Sequence, residues 1–287
     1  MVAGVVDEAR WDVPIRLLGG MHYLALRDGL DPWSDPPGFV GEQADFLSRF
    51  VAEQAVQTNE VQRCWALLPC FLESARRLDA SIVDVVELGT SAGLLLFWDR
   101  YRCRYEAGQW GPDDAQLELS GEERGRVPGE LLEFELTVRD RVGIDLEPVD
   151  VTGDEGALLL KSFVWADRVE RIERLDRAID ALRADPPRIL QGDFVELLPG
   201  LLESRRSDAP TIVMQIAAAG NLKEQEWERL YAALEEGGRR APLAYVFAGH
   251  PEPMSHQHWG LWVTSWPDGE RTQLAYADFH GTWLDWL

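Results

Sequence analysis

Residues 83–96 read VDVVELGTSAGLLL, and the reading of this stretch decides the fold. Ile82 to Leu88 is an almost unbroken apolar, β-rich run, the pattern of a strand buried on both faces. Gly89-Thr90-Ser91-Ala92-Gly93 is a run of small residues suited to a tight turn. Leu94 to Tyr101 then reads as a helix. Strand, turn and helix serve two chemistries. As G-x-S-x-G, the turn is a nucleophile elbow with Ser91 as the attacking group. As E-x-G-x-S-x-G from Glu87 to Gly93, it is a cofactor loop. There the glycines let the backbone pass close to a ligand, and the next helix presents unpaired N–H groups.

The surrounding pattern weighs between the two. Downstream, Val142–Val149, Arg188–Asp193, Pro210–Ile216 and Leu243–Phe247 are further strand signals. Two helices punctuate them: Asp167–Arg183, apolar at three- and four-residue steps, and Glu224–Glu235. Strands alternating with helices predict a doubly wound α/β sheet. The runs 260–267 and 271–277 flank Asp268-Gly269, which predicts a closing antiparallel hairpin. Residues 106–130 are polar and read as an inserted loop. Residues 1–80 read as mostly helical, with Thr58 the N-cap of a helix through Cys64–Leu72 and a Pro- and Gly-rich loop over 31–38. The expected division is therefore a helical lid over 1–80 and a Rossmann-like domain over 81–287.

A hydrolase needs an oxyanion loop and strands before its elbow. Here about eighty helix-like residues precede the first strand. The order Ser91, Asp278, His280 exists, and Gly19-Gly20 is a weak substitute for the oxyanion loop. The cofactor loop has better support further on. Asp145, in Gly143-Ile144-Asp145-Leu146-Glu147-Pro148, stands where a carboxylate can accept both ribose hydroxyls. Asp193 ends the next strand, at a spacing from Asp145 long enough to imply an insertion.

Composition bounds the partners. The 287 residues carry a net charge of −22, which repels phosphate backbones and argues against nucleic acid. Three cysteines with no C-x-x-C pair, an acidic start and no apolar run near the ~20 residues of a membrane span predict a reduced, cytoplasmic chain without a membrane segment. The twelve tryptophans serve packing or an aromatic substrate pocket.

Together, Leu17-Leu18-Gly19-Gly20-Met21-His22, Gln57-Thr58-Asn59-Glu60-Val61, the Glu87–Leu94 loop with Trp98-Asp99-Arg100-Tyr101, Asp145–Asp150 and Phe279-His280-Gly281 resemble the family named domain of unknown function 2332. The resemblance spans nearly the whole chain. It implies a fold similar to S-adenosylmethionine-dependent methyltransferases, and it brings no activity of its own. The family pattern often has His-Ser after the fourth strand, where this chain has Gln215-Ile216-Ala217-Ala218-Ala219.

On that reading Glu87, Gly89, Ser91, Gly93, Asp145 and Asp193 bind the cofactor, with Asp193 resembling the acid that contacts the adenine amino group. His22, Asn59 and Arg63 are candidates for substrate binding, Asn59 and Arg63 sharing a helix face at i and i+4. Glu60 and His250 are candidates for acid–base work. His250, Glu252, His256 and His258 form a conceivable metal cluster, although an exposed loop is favoured and no metal is assigned. The function expected is transfer of a methyl group to a small molecule. The alternatives are another reaction on the same scaffold, a serine hydrolase and a non-catalytic partner protein.

Overall fold

The computed structural model describes residues 12–206, 208–218, 222–250 and 257–287. Three helices open the chain: α1 (Val13–Asp28), α2 (Pro36–Glu42) and α3 (Ala44–Glu53). Helix α4 (Arg63–Arg77) precedes β1 (Ile82–Leu88), and a seven-residue 3₁₀ helix, Leu94–Arg100, follows it. Then come β2 (Arg102–Tyr105), β3 (Gly108–Trp110), β4 (Glu118–Ser120), β5 (Glu122–Gly125), α5 (Gly129–Leu132) and β6 (Thr137–Asp145). Helices α6 (Asp154–Ser162) and α7 (Val169–Arg183) lead to β7 (Arg188–Gln191) and α8 (Phe194–Ser204). The chain continues through β8 (Thr211–Ile216), α9 (Glu224–Arg240) and β9 (Leu243–Gly249), and closes with β10 (Trp259–Trp266), β11 (Glu270–Ala277) and β12 (Trp283–Trp286).

The elements fall into two compact units, residues 1–59 with 149–183, and residues 60–148 with 184–287. The cut lies at Asn59 and not at residue 80, because α4 packs on β8, β9 and β10 of the sheet unit. The long Asp145–Asp193 spacing is explained too: 149–183 carries α6 and α7 out of the sheet unit and into the helical one.

The helical unit is organised by α1. Pro14 starts it and Gly29, at φ +68°, ends it with its N–H on the Ala25 carbonyl. Met21, Leu24, Phe39 and Leu47 form its core. Gly20 admits the Leu47 and Phe50 side chains, whose atoms stand 3.0 and 3.1 Å from where a Cβ would be.

The sheet unit holds a mixed, mostly parallel α/β sheet in the order β5-β12-β11-β10-β9-β8-β1-β6-β7. The run β7-β6-β1-β8-β9 is parallel throughout. It contains the third, second, first, fourth and fifth parallel strands of the chain, which is the doubly wound order. Both faces are covered. Val86, Leu88, Val213 and Tyr245 join the cluster built on Leu198 and Leu202 of α8 and Leu230 and Leu234 of α9. The alternate residues Val83, Val85, Ile212, Met214 and Val246 are just as buried. The expected hairpin is present as antiparallel β10 and β11, and β12 extends it.

Two local expectations fail, and a third is met in a particular form. Residues 106–130 are not a bare loop: β2, β3 and β4 form a small sheet, and β5 joins the main one beside β12. The helix expected after the glycine turn is present over Leu94–Arg100, as a kinked 3₁₀ helix broken at Phe97. Helix α4 begins at Arg63 and not after Thr58, so Asn59 and Arg63 do not share a helix face.

Candidate functional site

In an open α/β sheet, ligands bind beyond the carboxyl ends of the strands where the strand order reverses. Here that point lies between β1 and β8, with β6 on the other side of β1. Register brings the acidic residues together. Glu87 pairs with Gly143 and Leu88 with Ile144, so Glu87, Gly143 and Asp145 share the sheet face opposite Leu88 and Ile144. Gly143 is required there, since a Cβ would stand 2.4 Å from the Thr90 methyl.

The turn itself is held by its own hydrogen bonds. Gly89 (φ +75°), Ser91 (φ +52°) and Gly93 (φ +82°) all adopt left-handed conformations. The N–H groups of Gly89 and Thr90 donate to the Ile144 carbonyl at 2.8 and 3.3 Å, and that of Gly93 to the Thr90 carbonyl at 2.8 Å. The Ser91 N–H donates to Asp145 Oδ2 at 2.7 Å. The other carboxylate oxygen of Asp145 accepts the Glu147 N–H at 2.9 Å. Ala218, just past β8, packs over Gly89, its Cβ only 2.1 Å from where a glycine Cβ would be.

Beneath the turn, Glu87 is buried and accepts a 2.6 Å hydrogen bond from the Thr90 hydroxyl. Burial pushes its carboxyl up to about 8, against the lowering effect of that hydroxyl; the nearby Asp145 charge adds to the rise and Arg63 opposes it. Thr90 was not singled out by the sequence reading. Its signal is its place inside the glycine turn, three residues after the acid.

The remaining candidates take different places. Arg63 is buried, donates from Nε to the Phe279 carbonyl at 2.9 Å and lies over the Trp259 ring at 5.0 Å. Gln62 donates to the carbonyls of Ser120 and Gly281. The start of α4 is thereby clamped to the Phe279-His280-Gly281 turn. Glu60 is buried and its side chain accepts the Gln62 N–H at 3.1 Å, which shapes the same start. Asp193 caps α8, accepting the Val195 N–H at 2.8 Å. His250 is exposed at the end of β9, and its carbonyl accepts the Trp262 indole N–H at 3.3 Å. His22 and Asn59 belong to the helical unit.

The other histidine candidates are described only in part. His258 packs against the rings of Tyr276 and Trp283 at 5.5 and 5.7 Å, while Glu252 and His256 lie outside the described residues. Among the described residues no three His, Cys, Asp or Glu side chains gather to hold a metal. Asp278 accepts the N–H groups of His280, Thr282 and Trp283, so it caps its own turn. No helix among the described residues is long and apolar enough to cross a membrane.

The chain belongs to the family of uncharacterized proteins conserved in bacteria, DUF2332, whose pattern matches residues 2–286. No curated protein sequence matches it. Among solved structures it is similar to the plantazolicin methyltransferase BpumL in complex with SAH, at 10% identity and a TM-score of 0.26. That match covers 82% of this chain and 60% of the other. The same methyltransferase in complex with a triazolic desmethylPZN analog and SAH matches at 12% identity and a TM-score of 0.27, over 82% and 61%. The chain thus spans about three fifths of the length of these solved chains.

Proposed function

We propose that this DUF2332 chain binds S-adenosylmethionine at the carboxyl ends of β1 and β6 and acts as a small-molecule methyltransferase. The observation that carries this reading is the balance of donors and acceptors at the turn. Four of the five residues from Gly89 to Gly93 already commit their N–H groups inside the protein. A phosphate needs such donors, so the turn is a poor seat for a dinucleotide. What it offers is acceptors. Each Asp145 oxygen keeps a second lone pair after taking its N–H, and Asp193 Oδ2 has no partner among the described residues.

The ligand that suits this set is rich in hydroxyl and amino donors and has no phosphate. The adenosyl group of S-adenosylmethionine is such a ligand. Asp145 would hold its ribose hydroxyls and Asp193 its adenine amino group, with Gly89, Ser91 and Gly93 shaping the floor. When bound, the cofactor supplies a methyl group on a sulfonium centre. His250, exposed after β9, would take the proton of the acceptor. Glu60, engaged with the Gln62 N–H, would position the start of α4.

A second reading, a scaffold that keeps the turn without the cofactor, is favoured by Ala218 seated over Gly89 and by the kinked 3₁₀ helix that follows the turn. Calorimetric titration with S-adenosylmethionine and S-adenosylhomocysteine separates the two. Micromolar binding, weakened at least tenfold in Asp145→Asn, is the expected result. Asparagine keeps one acceptor for the backbone N–H groups and loses the paired oxygens a ribose diol needs. Absence of heat with either ligand would sink the methyltransferase reading.

A further inference from the structure

The helical unit contains a cavity of about 490 Å³ that no part of the proposed methyl transfer uses. It lies beside α1 and the turn that follows α6. Leu18, Trp33, Phe163 and Trp165 make its walls apolar. Gly19 is what lets the wall close. A Cβ there would stand 2.9 Å from Phe163 Cε1, so the bare glycine admits the ring against the helix. Trp33 and Trp165 are 44% and 49% exposed, unusual for large flat rings that line a cavity.

A buried histidine is built into this apolar wall. His22 is 5% exposed and lines the cavity one helical turn after Gly19. Its Nδ1 faces the carbonyls of Val164 and Ser162 at 2.9 and 3.3 Å. Carbonyls only accept, so the proton sits on Nδ1. Burial lowers the tendency of the ring to take a second proton, against the opposing effect of those carbonyls. Nε2 is therefore a bare acceptor, and it has no partner among the described residues. Asp167 also lines the cavity. With a net charge of −22 on the chain, an anionic ligand is repelled.

We infer that this cavity is a binding site for a neutral aromatic small molecule carrying one hydrogen-bond donor, of the phenol class. Its ring system packs against Trp33 and Trp165, and its hydroxyl donates to His22 Nε2. The volume is in the range of small-molecule pockets, which combine apolar walls with a few placed polar groups. The site stands whether or not the sheet unit binds S-adenosylmethionine.

Three probes of one shape test the claim: 1-naphthol, 1-methoxynaphthalene and 1-naphthoate, titrated into the full chain by calorimetry and by tryptophan fluorescence. The naphthol should bind about three- to tenfold more tightly than the methyl ether, the range one neutral hydrogen bond contributes. The naphthoate should bind least. In His22→Asn, whose amide can replace the Nδ1–H, the naphthol should lose its advantage while the ether is unchanged. Ala166→Phe, which fills the cavity from its edge, should abolish both, with an unaltered melting temperature showing that the chain is folded. Equal affinity for naphthol and ether, binding indifferent to Ala166→Phe, or no binding would overturn the inference. So would concentration-dependent dimerisation abolished by Ala166→Phe, which would make the cavity a contact between two copies.

Discussion

The buried Glu87 carboxyl makes the stability of the protein depend on pH in a direction opposite to that of most carboxylates. Its pKa rises from an ordinary 4.5 to about 8 in the fold, chiefly through burial. Below 4.5 the folded and unfolded chains both carry the proton. Between 4.5 and about 8 only the folded chain keeps it, so each rise in pH favours the unfolded state. At ~1.4 kcal/mol per pH unit, the window spans roughly 5 kcal/mol. Glu87→Gln removes the titration while keeping an acceptor for the Thr90 hydroxyl, which donates at 2.6 Å. Urea denaturation of both proteins at pH 5, 6, 7 and 8 isolates the effect, because every other group cancels in the difference. Near pH 5 the two should be about equally stable. By pH 8 the variant should exceed the wild type, by up to about 4 kcal/mol, with m-values unchanged. A difference that stays flat across the series, or that favours the wild type as pH rises, would refute a protonated Glu87 beneath the turn.

Substitutions at two further positions test how the site is held. In Gly281→Ala the new Cβ would stand 2.6 Å from the Gln62 carbonyl oxygen and 2.8 Å from Arg63 Cα, at φ +74°. Backbone on both sides leaves no room to yield, and thermal unfolding should show a loss of at least ~2 kcal/mol. Asp193→Ala should cost about 1 kcal/mol by removing the α8 cap, while Asp193→Asn, which keeps an acceptor, should cost little; denaturant midpoints read both.

Legibility in the sequence followed the physics of each segment. Strand β1 was readable to the residue because a strand buried on both faces must be continuously apolar. The hairpin was readable because Asp268-Gly269 sits between two β-rich runs, and Gly269 takes φ +69° as such a turn demands. The strands of residues 102–125 were hidden by their length. Three or four residues at a polar edge carry no measurable alternation, and their pairing is set by distant partners such as Trp283 and Leu284. The start of α4 was misplaced because Thr58 is a good cap by type, whereas the segment is fixed by tertiary bonds from Gln62 and Arg63 to the 279–281 turn. The expected cofactor acids Glu87 and Asp145 do come together beside the glycine turn, since parallel register follows from the strands themselves. The bonds of Glu60 to the Gln62 N–H and of Arg63 to the Phe279 carbonyl have no signature in a single sequence, because they depend on how the chain folds around the start of α4.

Asp145 connects these observations. A non-glycine residue at φ > 0 costs on the order of 1–3 kcal/mol, and Ser91 sits at φ +52°. A hydrogen bond to a charged group contributes roughly 1.5–3 kcal/mol. The 2.7 Å bond from the Ser91 N–H to Asp145 is therefore of the size needed to hold the strained turn in place. The turn is then ordered before any ligand arrives, and a ligand bears no cost for ordering it. The same bond removes one of the donors that a phosphate would use. The device that stabilises the loop thus narrows its chemistry. On the proposed reading the turn meets its ligand through carboxylate acceptors, and Ser91 is a spacer in it.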